Sequence, residues 1–136
     1  MITAVDTSVL LDIFGADPTF GPRSKTSLRS CIAEGSLVAC EVVWAEVASV
    51  FPSPDAAKDA MSRLGVEFSA IELETALAAS ASWKKYRDRG GRRDRVAADF
   101  LIGAHAALQA NRLLTRDRGF YRAYFSSLKV LDSSKA

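Results

Sequence analysis

Apolar residues recur along the chain with two different periods. Five short runs rich in aliphatic and β-branched residues are candidate strands: ITAV, SLVAC, VEF, LLT and LKVL. The longer segments between them show the three- and four-residue spacing of apolar positions that is typical of helices. Strands that alternate with helices in this way predict a parallel sheet with crossover helices, which is a three-layer α/β sandwich.

Two helices can be predicted in more detail. Proline removes a backbone donor and disfavours helix in the preceding residue, so Pro52 and Pro54 are expected to end a helix that begins near Val42. A later helix is expected to leave its regular path at Gly90 and Gly91, after a basic stretch. Its apolar face, which should pack on the core, is predicted from the spacing of Leu73, Ala76, Leu77, Ser80 and Trp83.

Length and composition are those of an ordinary globular protein. With 136 residues, of which 49% are hydrophobic and 25% charged, the chain is expected to form a single domain over residues 1–136. Cys31 and Cys40 lack the paired spacing of a zinc or redox motif and are interpreted as core residues. The chain starts without a basic leader, and its longest apolar window is short and contains Asp99, so we expect a cytoplasmic protein without a membrane span.

Charge is distributed unevenly along the chain. Residues 1–83 contain 5 basic and 11 acidic side chains, whereas residues 84–136 contain 13 basic and 5 acidic ones, giving net charges of −6 and +8. A basic half beside acidic motifs suits a polyanionic substrate that is drawn toward a bound metal ion. The alternative is a charged face that is merely solvated.

Four acidic residues follow strands or begin helices at what should be one edge of the sheet. Crossover helices run antiparallel to the strands, so their first turns lie beside the carboxyl ends of the strands, where open α/β sheets bind ligands. The four residues expected to converge there are Asp6, Glu46, Asp99 and Asp117.

Each of these acids also has a structural explanation when taken alone. Asp6 is suited to cap the first helix, Glu46 to lie on a helix surface, and Asp117 to form a turn. Asp99 is different, because it is the only charge in an apolar helix and needs a cation or a salt bridge to be buried there. A shared cluster of carboxylates is the ligand set of hard divalent cations such as Mg²⁺ and predicts phosphoryl chemistry.

Other chemistries find no support in the sequence. The single histidine, His105, is about 240° around a helix from Asp99, and no Ser-His-Asp set or glycine-rich phosphate loop is present. A phosphate-accepting receiver domain would need paired acids after the first strand and an aspartate after the third, and both are missing. A haloacid-type phosphatase would need an aspartate at Ser8.

The ordered set of motifs resembles the PIN-domain ribonucleases and, more narrowly, the VapC toxins of bacterial toxin–antitoxin pairs. The motifs are VDTSVLLD at the start, WAEV after the second strand, ADFLIGAHA in the middle and LLTRDRGFYRAYF near the end, so the resemblance covers essentially the whole chain. It implies strand order 3-2-1-4-5, dependence on Mg²⁺ or Mn²⁺, and endonucleolytic RNA cleavage that inhibits translation. It also implies a cognate VapB-type antitoxin, a homodimer and a toxin–antitoxin hetero-oligomer.

The resemblance assigns roles to individual residues. A hydroxyl beside the fourth acid falls on Thr115, where it would orient a carboxylate or a metal-bound water; capping of the next helix is the alternative. The four acids of the family, which act in catalysis and bind the metal, fall on Asp6, Glu46, Asp99 and Asp117.

Several other residues near the acids have candidate roles. Arg93, Arg95 and Arg116 are candidates to hold RNA phosphates, although surface arginines are common. Glu41 is an additional acid near the same edge, and its alternative role is to complement a helix dipole. Two other functions stay open, an RNA-processing PIN nuclease without an antitoxin and a catalytically degenerate module that binds RNA or a partner.

A partner surface is predicted from three aromatic residues. Phe14, Trp44 and Phe51 are expected to line a groove near the antitoxin-facing helices that accepts an apolar partner segment. The alternative is that all three belong to the core.

Overall fold

The computed structural model describes residues 1–91 and 97–135. The strands are β1 (Ile2–Val5), β2 (Ser36–Ala39), β3 (Val66–Phe68), β4 (Arg112–Thr115) and β5 (Val130–Asp132). The helices are α1 (Thr7–Phe14), α2 (Gly21–Glu34), α3 (Glu41–Ala48), α4 (Pro54–Leu64), α5 (Leu73–Asp88), α6 (Ala97–Gln109) and α7 (Arg118–Tyr124), and a short 3₁₀ turn covers Ser133–Lys135.

All five strands pair in parallel, in the order β3-β2-β1-β4-β5. All four residues of β4 are buried, as are the last three of β1 and β2. A strand buried on both faces requires cover on both sides of the sheet, so the predicted α/β sandwich and its strand order are confirmed. Cys31 and Cys40 are buried free thiols within this core.

The predicted core face of α5 is wrong for its two leucines, although Trp83 does pack against the core. Leu73 and Leu77 are 74% and 60% exposed, and the buried residues are Thr75, Ala79 and Tyr86. The main contact of α5 is with α6, and small side chains such as Ala79 let the two helices approach closely. The larger leucines are therefore left on the outer surface of the helix pair.

Proline acts differently from the prediction around α3. The helix ends at Ala48, well before Pro52, and Pro54 instead begins α4. This is the position where proline is favoured, because the first N–H groups of a helix have no intrahelical partner. Ser53 supplies the cap, since its side chain accepts a hydrogen bond of 3.1 Å from the N–H of Ala56.

Gly103, in the middle of α6, gives a test of how closely this helix packs against Phe125. A methyl group at Gly103 would overlap the ring of Phe125, whereas Gly119 in α7 has open space at the same position. Gly103→Ala is therefore expected to lower the free energy of unfolding by about 1–3 kcal/mol, although alanine is the better helix former. Urea denaturation measures this change. Gly119→Ala is the control and should stabilise the protein by up to about 1 kcal/mol; equal gains in both variants would contradict the packing described here.

Candidate active site

The four predicted acids line one cleft at the carboxyl edge of the sheet. Asp6 follows β1, Asp117 follows β4, Asp99 lies in the first turn of α6, and Glu46 lies in the second turn of α3. The cleft has a volume of about 400 Å³. The rest of its lining comes from Thr7, Ser8, Ile102 and Arg116.

Asp6 is the most buried of the four carboxylates, with 7% of its surface exposed. Its Oδ1 accepts a hydrogen bond of 2.8 Å from the N–H of Thr7, and its Oδ2 accepts one of 2.6 Å from the hydroxyl of Thr115. Burial, with a smaller contribution from the charges of Asp99 and Asp117, raises the pKa of Asp6 from 3.8 to about 6, and these hydrogen bonds offset only part of the rise. The carboxylate is thus held in place at an electrostatic cost that a bound cation would relieve.

Thr115 connects two of the acids. Its hydroxyl donates to Asp6 and accepts a hydrogen bond of 2.9 Å from the backbone N–H of Asp117. The same side chain therefore orients a carboxylate and holds the backbone at the start of α7. The N-cap residue of α7 is Asp117, so Thr115 supports the residue before the helix and does not itself cap it.

Thr7 connects the cleft to α3. Its hydroxyl donates a hydrogen bond of 2.8 Å to Oε1 of Glu46, which is otherwise on an exposed face of that helix. Sequence reasoning missed Thr7, although its position next to Asp6 placed it at the same strand end.

The oxygen-rich lining fits a partly hydrated divalent cation. The hydroxyl oxygen of Ser8 is buried without a hydrogen-bond partner among the residues described, which is rare unless a ligand or water completes the site. Within residues 1–91 and 97–135, no three His, Cys, Asp or Glu side chains lie close enough to form a complete metal-binding group. Mg²⁺ commonly binds through only one or two carboxylates and keeps several waters, so separated acids around one cleft suit it.

Of the three candidate RNA-binding arginines, Arg116 can be placed. It lines the cleft and donates hydrogen bonds from Nε and Nη2 to the carboxylate of Asp12, at 2.7 and 3.0 Å. Arg93 and Arg95 lie outside the described residues.

Glu41 and His105 have contacts away from the cleft. The carboxylate of Glu41 accepts hydrogen bonds of 2.9 and 3.2 Å from the N–H of Ile71, which ties α3 to the segment before α5. Nε2 of His105 is 2.9 Å from the hydroxyl of Ser69, and burial lowers the pKa of this histidine. Both residues therefore hold the loop after β3 in place.

The three predicted groove residues are partly buried at the side of the core. The rings of Phe14 and Phe51 are 5.2 Å apart in an edge-to-face arrangement, and Trp44 is 6.1 Å from Phe68. Phe68 and Val50 are 58% and 61% exposed. We call these five residues, Phe14, Trp44, Val50, Phe51 and Phe68, the aromatic surface.

Comparison with known proteins gives a family match and several structural matches. Residues 3–126 match the model of the PIN domain family, and no curated protein matches the sequence significantly. None of the described helices is long and apolar enough to cross a membrane.

Three solved structures illustrate the shared fold. A chain of VapBC2 from Rickettsia felis bound to a promoter DNA fragment has a TM-score of 0.76 and 15% identity, covering 97% of this chain and 98% of that one. VapBC-1 from nontypeable Haemophilus influenzae has a TM-score of 0.73 and 17% identity, covering 98% of this chain and 99% of that one. A toxin–antitoxin complex from Klebsiella pneumoniae has a TM-score of 0.70 and 21% identity, covering 96% of this chain and 97% of that one.

The raised pKa of Asp6 predicts how stability changes with pH in the absence of metal. Between pH 4 and 7 the unfolded chain releases the Asp6 proton before the folded protein does, so ionisation of this group lowers the free energy of unfolding as pH rises. Asn cannot titrate, so the free energy of unfolding of Asp6→Asn should rise relative to that of the parent by up to about 3 kcal/mol over this range. Urea denaturation in chelator at pH 4 and pH 7 measures the difference; a constant offset between the two proteins would contradict the prediction.

Proposed function

The chain belongs to the PIN domain family, and we propose that it is a divalent-metal-dependent endoribonuclease, the toxin of a VapBC-type toxin–antitoxin pair. In this proposal it hydrolyses RNA in the cytoplasm and so inhibits translation. The observation that carries the proposal is the cleft that four acids share, in which the most buried carboxylate has a pKa of about 6. Such a cleft disfavours its own charge until a cation binds.

Asp6 and Asp99 are the principal ligands for Mg²⁺ or Mn²⁺ in this proposal, and Glu46 and Asp117 complete the acidic lining. When bound, the metal supplies a water of lowered pKa and a positive charge beside the phosphate. Carboxylates that hold such an ion must keep their orientation while the substrate changes.

The hydrogen bonds described above do this. Thr115 fixes one oxygen of Asp6, and the N–H of Thr7 fixes the other, so the carboxylate cannot rotate freely. The hydroxyl of Thr7 restrains Glu46 across the cleft. The resemblance to PIN-domain ribonucleases implies that water attacks the phosphate and the 3′-oxygen leaves, so the products are a 3′-hydroxyl and a 5′-phosphate and the ribose 2′-hydroxyl takes no part.

An antitoxin partner is proposed for the aromatic surface. The structural neighbours from R. felis, H. influenzae and K. pneumoniae are toxin–antitoxin complexes, and the partly buried rings of Phe14 and Phe51 offer an apolar partner segment a preformed edge-to-face pair. Exposed Val50 and Phe68 extend the surface that such a segment would bury.

A homodimer is proposed for the outer face of α5 and α6. Leu73, Leu77 and Leu108 are 74%, 60% and 57% exposed. They lie on the same helix pair as an apolar depression of about 170 Å³ that is lined partly by Trp83 and Leu101. A stripe of this kind is unusual on a surface that faces only water.

Charge favours a second copy as the occupant of this face. Glu72 and Glu74 lie at the N-terminal end of α5, and Lys84 and Lys85 lie toward its C-terminal end. Two α5 helices packed antiparallel about a two-fold axis would bring the acidic end of one beside the basic end of the other.

Two alternatives differ in what they bind. An RNA-processing nuclease without an antitoxin would cut RNA but would have no adjacent small reading frame or co-purifying peptide. A catalytically degenerate module would bind RNA or a partner without cutting; the complete acid set favours an active enzyme.

The central test is cleavage of end-labelled transfer, ribosomal and messenger RNA by purified protein free of antitoxin. Cleavage should require Mg²⁺ or Mn²⁺, stop in excess chelator, and be abolished by Asp99→Asn, because an amide is a poorer ligand for a hard cation. The matched control is Asp55→Asn, which changes an exposed acid in the first turn of α4. Added Mn²⁺ should also raise the melting temperature of the parent and of the control more than that of Asp99→Asn. Cleavage that persists in chelator would refute the proposal.

Leu77→Asp and Val50→Asp form a pair of tests for the two partner surfaces, since the two side chains are equally exposed. Leu77→Asp should convert a dimer to a monomer in sedimentation equilibrium and leave antitoxin binding intact, because it places a charge only in the α5 face. Val50→Asp should weaken antitoxin binding by about tenfold or more and leave the dimer intact. A dimer that survives Leu77→Asp would show that the homodimer face lies elsewhere.

A further inference from the structure

A carboxylate outside the acidic cleft is buried in the apolar helix α1. The side chain of Asp12 is 5% exposed and receives two hydrogen bonds from Arg116, from Nε at 2.7 Å and from Nη2 at 3.0 Å. The hydroxyl of Ser24 in α2 donates a third, of 3.0 Å, to the same carboxylate. Two parallel hydrogen bonds fix the plane and the direction of a guanidinium, which a single contact does not.

The turn between α1 and α2 holds the flat face of the same guanidinium. The ring centre of Phe20 is 4.2 Å from the central carbon of Arg116. Phe20 is itself fixed, because the carboxylate of Asp17 accepts hydrogen bonds from the N–H groups of Thr19 and Phe20, at 2.9 and 2.7 Å. Arg116 is therefore restrained along one edge and on one face.

The remaining edge of the guanidinium is available to a ligand. Nη1 of Arg116 makes no hydrogen bond to any residue in the described part of the chain, and the side chain is 32% exposed at the wall of the acidic cleft. Because Asp12 occupies the Nε and Nη2 edge, the donors left over point away from α1. A guanidinium edge with two N–H groups matches the spacing of two phosphate oxygens.

The restraint also solves a problem that the cleft creates. An unrestrained arginine in the same cleft as Glu46, Asp99 and Asp117 would be drawn onto their carboxylates and would compete with a metal ion for them. The paired carboxylate of Asp12 neutralises Arg116 before RNA binds and keeps it at the wall. Stability alone explains the pair poorly, since the cost of desolvating two charges largely offsets their attraction.

Resting on the proposed function, we propose that Arg116 binds a non-bridging oxygen of the phosphate being cleaved and that Asp12 and Phe20 are its positioning residues. Asp12 has two effects in this arrangement. It aims the free edge of Arg116 at the phosphate, and it prevents Arg116 from occupying the metal-binding carboxylates.

The phosphate contact is tested by steady-state cleavage of a short RNA. Arg116→Ala should lower kcat by on the order of 100-fold with little change in KM, because charge builds up on the phosphate in the transition state. Arg116→Lys should likewise have a lower kcat than the parent, since one ammonium cannot bind Asp12 and a phosphate oxygen in the geometry that a guanidinium allows. The matched control is Arg63→Ala, which removes an exposed arginine from another Asp–Arg pair in α4 and should leave kcat unchanged.

The restraint by Asp12 is tested with a readout that needs no RNA. Asp12→Asn should reduce the Mn²⁺-induced rise in melting temperature, because the released Arg116 then competes for the acids. The double variant Asp12→Asn/Arg116→Ala should regain the Mn²⁺ response of Arg116→Ala, and its kcat should be no lower than that of Arg116→Ala alone. A merely structural role for Asp12 predicts that the double variant stays as impaired toward Mn²⁺ as Asp12→Asn.

Two further outcomes decide the proposal. If Asp12→Asn does not fold, Phe20→Leu replaces it, since leucine fills the space without the ring face and should lower kcat by about tenfold through misplacement of Arg116. Parent protein that cuts RNA while Arg116→Ala keeps kcat within about threefold would overturn the phosphate contact and leave the nuclease proposal standing. Parent protein that cuts no RNA would instead refute the proposed function. The Mn²⁺-induced rise in melting temperature would then still decide the role of Asp12.

Discussion

The pairing of β1 with β4 is the constraint on which the cleft depends. Asp6 lies one residue beyond the last pair of these strands, Val5 with Leu114, and its backbone N–H donates a hydrogen bond of 2.9 Å to the carbonyl of Leu114. This bond sets the end of β1 opposite the end of β4, so that the hydroxyl of Thr115 meets the carboxylate of Asp6. A slip of one residue would turn Thr115 to the other face of the sheet and leave that carboxylate without its closest donor.

Around this point the protein balances two opposing electrostatic demands. Four carboxylates line one cleft, and the fold has to tolerate their negative charges when no cation is bound. Hydrogen bonds from Thr7 and Thr115 supply part of the compensation for Asp6, and its pKa nevertheless stays well above that of a free carboxyl. Asp12 and Arg116 satisfy each other, so they add no net charge to the cleft. The electrostatic cost of the acidic cleft is thus concentrated in a few side chains, above all in Asp6.

The sequence was informative where one geometric rule applied to many residues. Parallel topology alone brings the ends of β1 and β4 and the start of α6 to one edge, and this is why Asp6, Asp99 and Asp117 could be expected together. Apolar spacing was less informative about α5, because a stripe such as Leu73 and Leu77 has the same pattern whether it faces the core or an outer surface.

The contact between Asp12 and Arg116 joins residues 104 positions apart. It depends on how α1, α2 and the end of β4 pack together, and no local pattern encodes that packing. The charge of Asp12 within the apolar run VLLDIF was its only visible signal.

Asp6 has two duties that do not separate. Its side chain accepts a hydrogen bond from the N–H of Thr7 as the N-cap of α1, and it also lines the cleft. Under the proposed function, natural selection therefore acts on this position through folding as well as through catalysis. A lineage that lost nuclease activity would be expected to keep a short polar residue there, usually Asn or Ser, to start the helix. Retention of a polar residue at this position among distant homologues is consequently evidence of shared ancestry and fold, and only an unbroken aspartate is evidence that the chemistry has been maintained.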